Sequence, residues 1–317
     1  MTLCSDRFLS GYYVLKIPPT LNPFIAARRL EQTNLFDALE FDLYCELTDN
    51  PNDYYFPSQW NLTKIGMPEA WTIAKGNPSV ILGIIDTGVK FDHPDLVDNL
   101  WVNPVEDRNG NGRADFSPIP QGDLDGLDND GNGKTDDLVG WDFYYRDNYP
   151  EDLFLDGHGT KSAGVAAAIT NNGIGIAGIA GGWGNDKGVR FMVLKSSSNN
   201  GEVYHSLLAS AIEYGARNGA KVLNISLSLK DDSTVLREAV QLAVNDYGVV
   251  ISASAGNEPR ENRPSCYPAK YPEVIAVSAT DLGDRHIYGS YPGTWLDVMA
   301  PSGVITTSND SSLYEMN

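Results

Sequence analysis

The sequence has few cysteines and few basic residues, and each shortage excludes a class of protein. Its 317 residues include three cysteines, Cys4, Cys45 and Cys266, which lie far apart. A sparse, odd set forms neither a disulfide framework nor a zinc cluster, so we interpret all three as small packing residues. Lys and Arg number 23 against 42 Asp and Glu, which gives a formal net charge of −19. Nucleic acids and anionic membranes are bound through clustered basic residues, so neither is an expected partner.

Long apolar segments are also missing. No run approaches the roughly 20 apolar residues that a membrane-spanning helix requires, so we expect no membrane span. The first 15 residues have neither a basic start nor an apolar centre, and we recognise no signal peptide in them. The hydrophobic content of 42% is that of an ordinary globular protein. An acidic excess in such a protein favours solubility and the binding of metal cations.

What is present, from Gln59 onward, is an alternation of short aliphatic segments with segments of helical periodicity. This alternation predicts a mostly parallel sheet covered by helices on both faces, an α/β fold of three layers. The predicted strands are Val80–Ile85, Val189–Lys195, Lys221–Leu227, Val249–Ser254 and Val274–Ala279. The predicted helices are Met67–Ala74, His158–Ile169, Glu202–Arg217 and Thr234–Asp246.

A separate small unit precedes this region. We predict a strand at Gly11–Ile17, a helix at Asn22–Asn34 and a second strand at Leu35–Leu47, followed by a polar hinge. The hinge divides the chain into residues 1–50 and residues 51–317. Alternatively, the β-α-β unit forms a peripheral edge of the main domain.

Residues 102–142 form an insertion rich in aspartate and glycine, with acidic loops at Asp107–Asp115 and Asp128–Asp137. Oxygen ligands at alternate positions, followed by glycine, are what Ca²⁺ requires. The similarity to an EF-hand is partial, because Val139 stands where a bidentate glutamate belongs. The alternative is a solvated loop held by Asx-turns. The predicted calcium ligands of the second loop are Asp128, Asp130, Asn132 and Asp136.

A carboxylate and a histidine stand in positions that favour catalysis. The apolar run Val80–Val89 is typical of a buried strand and ends near Asp86, which needs a polar partner because burying a lone carboxylate is costly. His158 is flanked by glycines and opens a helix of small residues, which can pack closely on the sheet. A carboxylate that orients an imidazole is the supporting half of a nucleophilic triad. The remaining histidines, interpreted as structural, are His93, His205 and His286.

These segments and four later ones resemble the characteristic blocks of subtilisin-type serine proteases, the subtilase family. The resemblance runs from about Asn52 to Asn317 and implies a subtilisin-like three-layer fold and a serine endopeptidase acting on proteins or peptides. The matching segments are I-I-D-T-G-V (Ile84–Val89), D-G-H-G-T-K-S-A-G (Asp156–Gly164), K-V-L-N-I-S-L-S (Lys221–Ser228), I-S-A-S-A-G-N (Ile251–Asn257), Y-P-A-K-Y-P-E-V-I-A-V-S-A-T-D (Tyr267–Asp281) and L-D-V-M-A-P (Leu296–Pro301).

The resemblance also implies a role for individual residues. Asp86 would orient His158, the general base and later general acid, and Asn257 would donate to the developing oxyanion. An extended peptide substrate would pair with the strand Asn224–Ser228. The segment Ser254–Gly256 would form a wall of the first specificity pocket. The implied substrate-binding residues are Asn224, Ser226, Leu227, Ser228, Ser254, Ala255 and Gly256.

Further features follow from the family likeness. Asp53, Asp95 and Asn172 align with the side-chain ligands of a calcium site in thermitase-like members. Residues 1–50 resemble part of the family's prodomain, an intramolecular inhibitor that is removed on maturation. The resemblance therefore implies a secreted, calcium-stabilised zymogen that matures to a monomeric enzyme.

The family's nucleophile is the residue that this sequence does not supply. In subtilases it follows D-V-M-A-P by about twenty residues, within G-T-S-M-A at the start of a helix. The printed sequence ends at Asn317, so we expect a serine beyond that point and a chain cut short just before it. A smaller departure is Lys161, which replaces the usual second histidine. The serines near the end that lack the glycine–threonine context are Ser302, Ser308, Ser311 and Ser312.

Three other functions remain open on sequence grounds. The D-T-G segment is also a signature of aspartic proteases, although their chemistry needs two such carboxylates and only one is present. A catalytically inactive, calcium-bound subtilase fold could hold peptides without cleaving them. A calcium-dependent structural module is the third, and it predicts unfolding on chelation without any peptide binding.

Overall fold

The computed structural model describes residues 2–4, 14–18, 22–39, 50–257, 266–287, 290, 293–310 and 313–316. Contacts between residues divide the chain into two compact units, Met1–Thr48 and Asp49–Asn317. Among the described helices, none is both long enough and apolar enough to cross a membrane.

The first unit contains two short antiparallel strands and one helix. Strand β1 (Thr2–Cys4) pairs with β2 (Val14–Lys16), and helix α1 (Pro23–Glu31) follows. The Oδ1 atom of Asn22 accepts the backbone N–H of Ile25 at 3.3 Å, so Asn22 caps a helix that begins with proline. The predicted strand over residues 35–47 is absent from residues 35–39, and its remainder lies outside the described residues.

The second unit holds the remaining elements. Its helices are α2 (Trp60–Lys64), α3 (Met67–Ile73), α4 (His158–Ala167), α5 (His205–Arg217) and α6 (Thr234–Gln241). Its strands are β3 (Ile81–Asp86), β4 (Gly140–Asp142), β5 (Gly182–Trp183), β6 (Asp186–Lys187), β7 (Arg190–Lys195), β8 (Val222–Ile225), β9 (Val250–Ser254), β10 (Val274–Thr280), β11 (Val298–Pro301), β12 (Ile305–Thr307) and β13 (Tyr314–Met316).

A parallel sheet of seven strands organises this unit. The strand order is β11-β10-β9-β8-β3-β7-β4, and all six pairings are parallel. Strand β3 lies in the interior, where Asp86 is in register with Lys195 of β7. The predicted α/β class with a mostly parallel sheet is therefore confirmed. The predicted and observed helix bounds differ most for α6, which was predicted to end at Asp246. Its α-helix ends at Gln241, and the chain continues as a π-helical turn over Leu242–Asp246.

Alternate side chains of β3 pack on opposite faces of the sheet. Ile85 packs with α5, α6 and the other strands in one buried cluster, whereas Ile84 packs in a second cluster with Ala163 and Ala167 of α4. Side chains that alternate across a strand must serve opposite faces, so helices cover β3 on both sides. This three-layer arrangement places α4 directly over the carboxyl end of β3.

The β12–β13 hairpin packs against α4. The hydroxyls of Thr306 and Thr307 donate to the carbonyls of Lys161 and Thr160 at 2.8 and 2.7 Å. The approach is close enough that a Cβ atom on Gly164 would lie 2.1 Å from the Thr307 hydroxyl. Glycine at position 164 is therefore needed for the hairpin to lie against the helix.

Candidate active site

Asp86 and His158 meet at the carboxyl end of β3, although 72 residues separate them. Oδ1 of Asp86 lies 2.6 Å from Nδ1 of His158. The Asp86 carboxylate is fully buried, and it also accepts the backbone N–H of Thr87 at 2.7 Å and the hydroxyl of Ser162 at 3.0 Å. Three donors thus compensate for the loss of water around this carboxylate.

His158 occupies the first position of α4, and its side chain is about one third exposed at 34%. The preceding residue, Gly157, has φ 61°, a left-handed conformation that favours glycine. The hydrogen bond to Asp86 raises the pKa of His158 above its ordinary value, despite burial that opposes the charged form. Within the described residues, no hydrogen bond occupies Nε2, the other ring nitrogen.

Asn309 fixes the loop that leads into His158. Its Nδ2 group donates to the carbonyls of Asp152 and Phe154 at 2.9 and 2.8 Å. The backbone N–H of Gly157 bonds to the same Phe154 carbonyl, at 2.9 Å. The chain preceding the histidine is therefore held by a side chain from the far end of the sequence.

Lys195 ties together three segments next to Asp86. Its buried ammonium group forms an ion pair with Asp142 at 3.1 Å and donates to the Glu151 carbonyl and the Asn199 side chain, both at 3.0 Å. An ammonium group has three N–H bonds, and each has an acceptor here. Such full compensation is what allows a charged lysine to lie inside the protein.

Glu151, in the loop that precedes His158, makes the stability of the folded protein depend on pH. Burial raises its pKa to about 7 from an ordinary 4.5, with Asp92 adding to the rise. As the pH rises from 4.5 to 7, the unfolded chain loses this proton and the folded chain keeps it, so stability falls across that window. Because part of the penalty is screened by solvent, we expect Glu151→Gln to stabilise the protein by about 1–2 kcal/mol at pH 8 and by almost nothing at pH 4.

Urea unfolding at both pH values measures this difference. The matched control is Glu69→Gln, which alters an exposed glutamate and should leave the pH dependence of stability unchanged. Equal free energies of unfolding for Glu151→Gln and wild type at pH 8 would contradict the prediction.

A groove of about 220 Å³ opens beside this centre, on the face of the sheet opposite α5 and α6. It is linked to Asp86 by Ser162, whose hydroxyl lies 3.4 Å from that of Ser226. Ala255 is buried in this region, and Leu227 and Ser228 do not line the groove. The sequence-predicted residues that do line it are Asn224, Ser226, Ser254, Gly256 and Asn257.

Asn257 is exposed at the end of the segment that follows β9. No hydrogen bond between described residues joins it to Asp86 or His158. The structure thus brings together the predicted acid and base, places the predicted oxyanion donor on the adjoining groove, and leaves Leu227 and Ser228 outside it.

The structure also brings together the first set of predicted calcium ligands. Asp53 accepts the backbone N–H of Asn171 at 2.7 Å, and Asn172 donates to Asp95 at 2.7 Å. Burial raises the pKa of Asp95 to about 7, and the nearby Asp53 carboxylate adds to the rise. A Cβ atom on Gly175 would lie 2.3 Å from an Asp95 oxygen. Two buried carboxylates and an asparagine side chain, brought together from three segments, are a donor set of the kind that a hard cation prefers.

The acidic insertion forms a different cluster from the one predicted. Oxygen atoms of Glu106, Asp130 and Asp137 lie within 4.8 Å of one another, and Glu106 and Asp137 are buried. Burial raises the pKa of Asp137 to about 6, to which Asp130 and Glu106 contribute. An all-oxygen donor set of this kind fits Ca²⁺.

The other predicted ligands of this loop are not members of the cluster and form hydrogen bonds instead. Asp128 accepts backbone N–H groups of its own loop, including Gly133 at 2.8 Å, and Asp136 accepts the N–H of Asp125 at 2.9 Å. Asn132 donates to Asp130 and Asp137 at 2.9 and 2.8 Å. Sequence reasoning missed Glu106, which lies 24 residues before Asp130 without a local motif, and Asp137, whose only signal was its place beside Asp136.

Several known proteins are similar in sequence to this chain. The thermophilic serine proteinase of Bacillus sp. (strain AK1) is 32% identical over 311 residues, which are 98% of this chain and 65% of that protein. Thermitase of Thermoactinomyces vulgaris is 35% identical over 265 residues, 83% of this chain and 77% of that protein. Subtilisin E of Bacillus subtilis is 29% identical over 273 residues, 86% of this chain and 59% of that protein. The chain thus spans between roughly three fifths and three quarters of these relatives. The family model described as the subtilase family matches residues 77–316, and the chain therefore belongs to the subtilase family.

Proposed function

We propose that this protein is a serine endopeptidase in which Asp86 and His158 form two members of an Asp/His/Ser triad. The observation that carries the proposal is the 2.6 Å bond between a fully buried carboxylate and Nδ1 of a partly exposed histidine, beside a groove on the sheet. A relative named as a thermophilic serine proteinase supports the same activity.

The proposed mechanism starts from the tautomer of His158. Because Asp86 holds Nδ1–H, Nε2 carries a lone pair and can take a proton from a serine hydroxyl as it attacks the substrate carbonyl. The imidazolium that results is stabilised by the Asp86 carboxylate and then protonates the leaving amine. Asn257 donates to the oxyanion, and the backbone of Asn224–Ser228 pairs with the extended peptide. Leu227 and Ser228 contribute only through their backbone, which agrees with side chains that lie outside the groove.

The nucleophile is a serine carried by a segment outside residues 1–317. Two observations support this part of the proposal. No serine among the described residues bonds to His158 Nε2, and the groove face of β9 and β10 leaves Val250 and Ile275 exposed at 49% and 40%. Parallel sheets are covered on both faces, so a further helix is expected there.

Calcium binds at two places in the proposed protein. Asp53, Asp95 and Asn172 hold one ion, and Glu106, Asp130 and Asp137 hold the other. Calcium supplies no step of the chemistry at His158 and instead links distant loops, which stabilises the folded state.

The first unit, Met1–Thr48, is proposed to be part of a prodomain that inhibits the enzyme until it is removed. The mature protease would then act outside the cell as a monomer, where calcium is abundant enough to fill sites of modest affinity. The division agrees with the two compact units of the chain, and the family match, residues 77–316, lies within the second of them.

The test uses protein expressed from the complete gene, treated with a fluorophosphonate, which reacts with activated serine hydroxyls. We expect hydrolysis of an unfolded protein substrate, its loss after labelling, and a single labelled serine found by mass spectrometry. Binding of peptides without cleavage or labelling would contradict the proposal and favour an inactive peptide-binding fold.

The pH dependence of cleavage provides a separate prediction. His158 must be neutral to accept a proton, and the Asp86 hydrogen bond raises its pKa above the ordinary 6.5. The value of kcat/KM should therefore rise with pH through an apparent pKa above 6.5, as initial rates between pH 5 and 9 would show. Replacing His205, whose ring bonds to the Asp231 carbonyl, by glutamine should leave the curve unchanged. A rise centred at or below pH 6.5 would show that Asp86 does not stabilise the imidazolium.

A further inference from the structure

A second buried carboxylate, Asp152, lies beside the Asp86–His158 pair and has no part in the mechanism above. It is 2% exposed. Oδ1 accepts the Thr87 hydroxyl at 3.0 Å, and Oδ2 accepts the hydroxyl and the backbone N–H of Thr160 at 2.7 and 3.0 Å. One carboxylate thus contacts both the residue after Asp86 and the first turn of the helix that carries His158.

Helix α4 lacks a cap of its own. Gly157 precedes the helix and has no side chain, so the first backbone N–H groups need acceptors from elsewhere. The Thr87 hydroxyl accepts the N–H of Gly159 at 2.9 Å, and Asp152 accepts that of Thr160. A carboxylate at a helix N-terminus is also favoured by the helix dipole. The cap of α4 is therefore built from two distant segments.

The same turn has almost no space in which to move toward β3. A Cβ atom on Gly159 would lie 2.0 Å from the Gly88 carbonyl and 3.0 Å from Cβ of Asp86. Thr87 connects the two sides, because it donates to Asp152 and accepts from Gly159. Loss of the Asp152 carboxylate would release both the helix turn and the residue next to Asp86.

We propose that Asp152 is a positioning residue of the active site, which caps α4 so that His158 Nδ1 stays on Asp86. When ionised, its carboxylate also favours the imidazolium form of His158. This inference rests on the proposed function for its meaning in catalysis, but its geometric claim concerns only the Asp86–His158 bond.

The charges around His158 support the electrostatic part. The carboxylates that act on the ring are Asp86, Asp156 and Asp152. Asp156 forms an ion pair with Lys161 at 2.8 Å, and Lys161 also contacts Glu315 at 3.2 Å. Among the described ion pairs, none neutralises Asp152. Burial raises the pKa of Asp152, and the hydrogen bonds from Thr160 and Thr87 oppose that rise. Where the carboxyl group is ionised, its charge acts on His158 without a compensating cation among the described ion pairs.

The decisive measurement is the NMR signal of the hydrogen-bonded Nδ1 proton of His158, together with the His158 titration curve, in protein expressed from the complete gene. In Asp152→Ala, the low-field Nδ1 signal should broaden or disappear through faster exchange with water. In Asp152→Asn, the amide oxygen can still cap the helix, so the signal should persist while His158 titrates at lower pH. Cleavage by Asp152→Ala should fall on the order of ten- to a hundredfold in kcat, with KM changed less than about twofold.

Asp123 offers a matched control. It is also buried, at 1%, and accepts the backbone N–H groups of Asn109 and Asp115 at 3.1 and 3.0 Å in the acidic insertion. Asp123→Ala should lower the melting temperature without altering the His158 signal or titration. If Asp152→Ala leaves the His158 signal and titration unchanged, as Asp123→Ala should, Asp152 is a structural residue and the inference is wrong.

The two proposals fail in different ways. Wild-type protein that cleaves no peptide would refute the protease, yet the NMR comparison would still decide whether Asp152 holds His158. An active protease whose Asp152→Ala variant keeps the Nδ1 signal and the kcat of wild type would refute only the positioning role. Should Asp152→Ala not fold, the titration of Asp152→Asn still tests the electrostatic part, and a curve that matches wild type would contradict the inference.

Discussion

Replacement of Asp86 by asparagine should lower kcat by about 10⁴-fold while KM stays nearly constant, the size of loss seen for the equivalent change in a serine protease of unrelated fold. Asparagine preserves the shape of the side chain but is neutral, so it cannot stabilise the imidazolium that forms when His158 takes a proton. Where the NH₂ group of the asparagine faces Nδ1, it also favours the tautomer of His158 that carries its proton on Nε2, and that nitrogen then cannot accept a proton from serine. The full burial of Asp86 increases the loss, because no water can replace the charge.

Initial rates with a peptide substrate at saturating and limiting concentration separate kcat from KM. The control is Asp246→Asn, which removes an exposed carboxylate at the end of the π-helical turn after α6 and should leave both constants unchanged. A loss below about tenfold for Asp86→Asn would mean that His158 works without its carboxylate, and the assignment of the triad would be wrong.

The central strands and helices could be predicted because their signals are local. The run before Asp86 is aliphatic and bounded by turn residues, and β3 begins one residue later and ends one residue later than the predicted Val80–Ile85. Helices α4 and α5 start or end within three residues of prediction at each terminus. Alternation of these segments then dictates a parallel sheet with helical crossovers.

Strands β4 and β12 were missed for a physical reason. Strand β4 is only three residues long, G-W-D, and no apolar run marks it. It pairs with β7, and its Asp142 forms an ion pair with the buried Lys195, a contact between residues 53 apart in sequence. Strand β12 forms where its threonines bond to the backbone of α4. Neither signal can be seen in a window of neighbouring residues.

The same distinction divides the candidate site. Asp86 and His158 are recognisable because each lies in a motif with its own turn glycines. Asp152 has no motif, and its partners are the hydroxyls and amides of residues 8 and 65 positions away. Roles that consist of accepting backbone hydrogen bonds leave little trace in sequence, since many polar residues could fill them.

The second large effect concerns calcium. Removal of calcium with EDTA should lower the melting temperature by roughly 5–10 °C for each site that is emptied. One ion at a hundredfold its dissociation constant stabilises by about 2.7 kcal/mol, and each kcal/mol shifts the melting temperature of a unit of this size by about 2–4 °C. Without the ion, Asp53 and Asp95 remain buried together, and the like charges oppose folding. Addition of calcium in excess of EDTA should restore the melting temperature.

Single variants separate the two sites. Asp53→Asn removes a ligand of the first site and Asp137→Asn a ligand of the second, so each should reduce the calcium-dependent rise in melting temperature, and calorimetric titration should lose one class of binding. Asp98→Asn, which alters an exposed carboxylate three residues from Asp95, is the matched control and should bind as wild type does. A melting temperature that is the same in EDTA and in calcium would refute both sites. If only Asp53→Asn affects binding, the carboxylates of Glu106, Asp130 and Asp137 are held by their hydrogen bonds alone. In that case the insertion folds around Asn103, Asn132 and Tyr214, whose side chains already donate to Asp137.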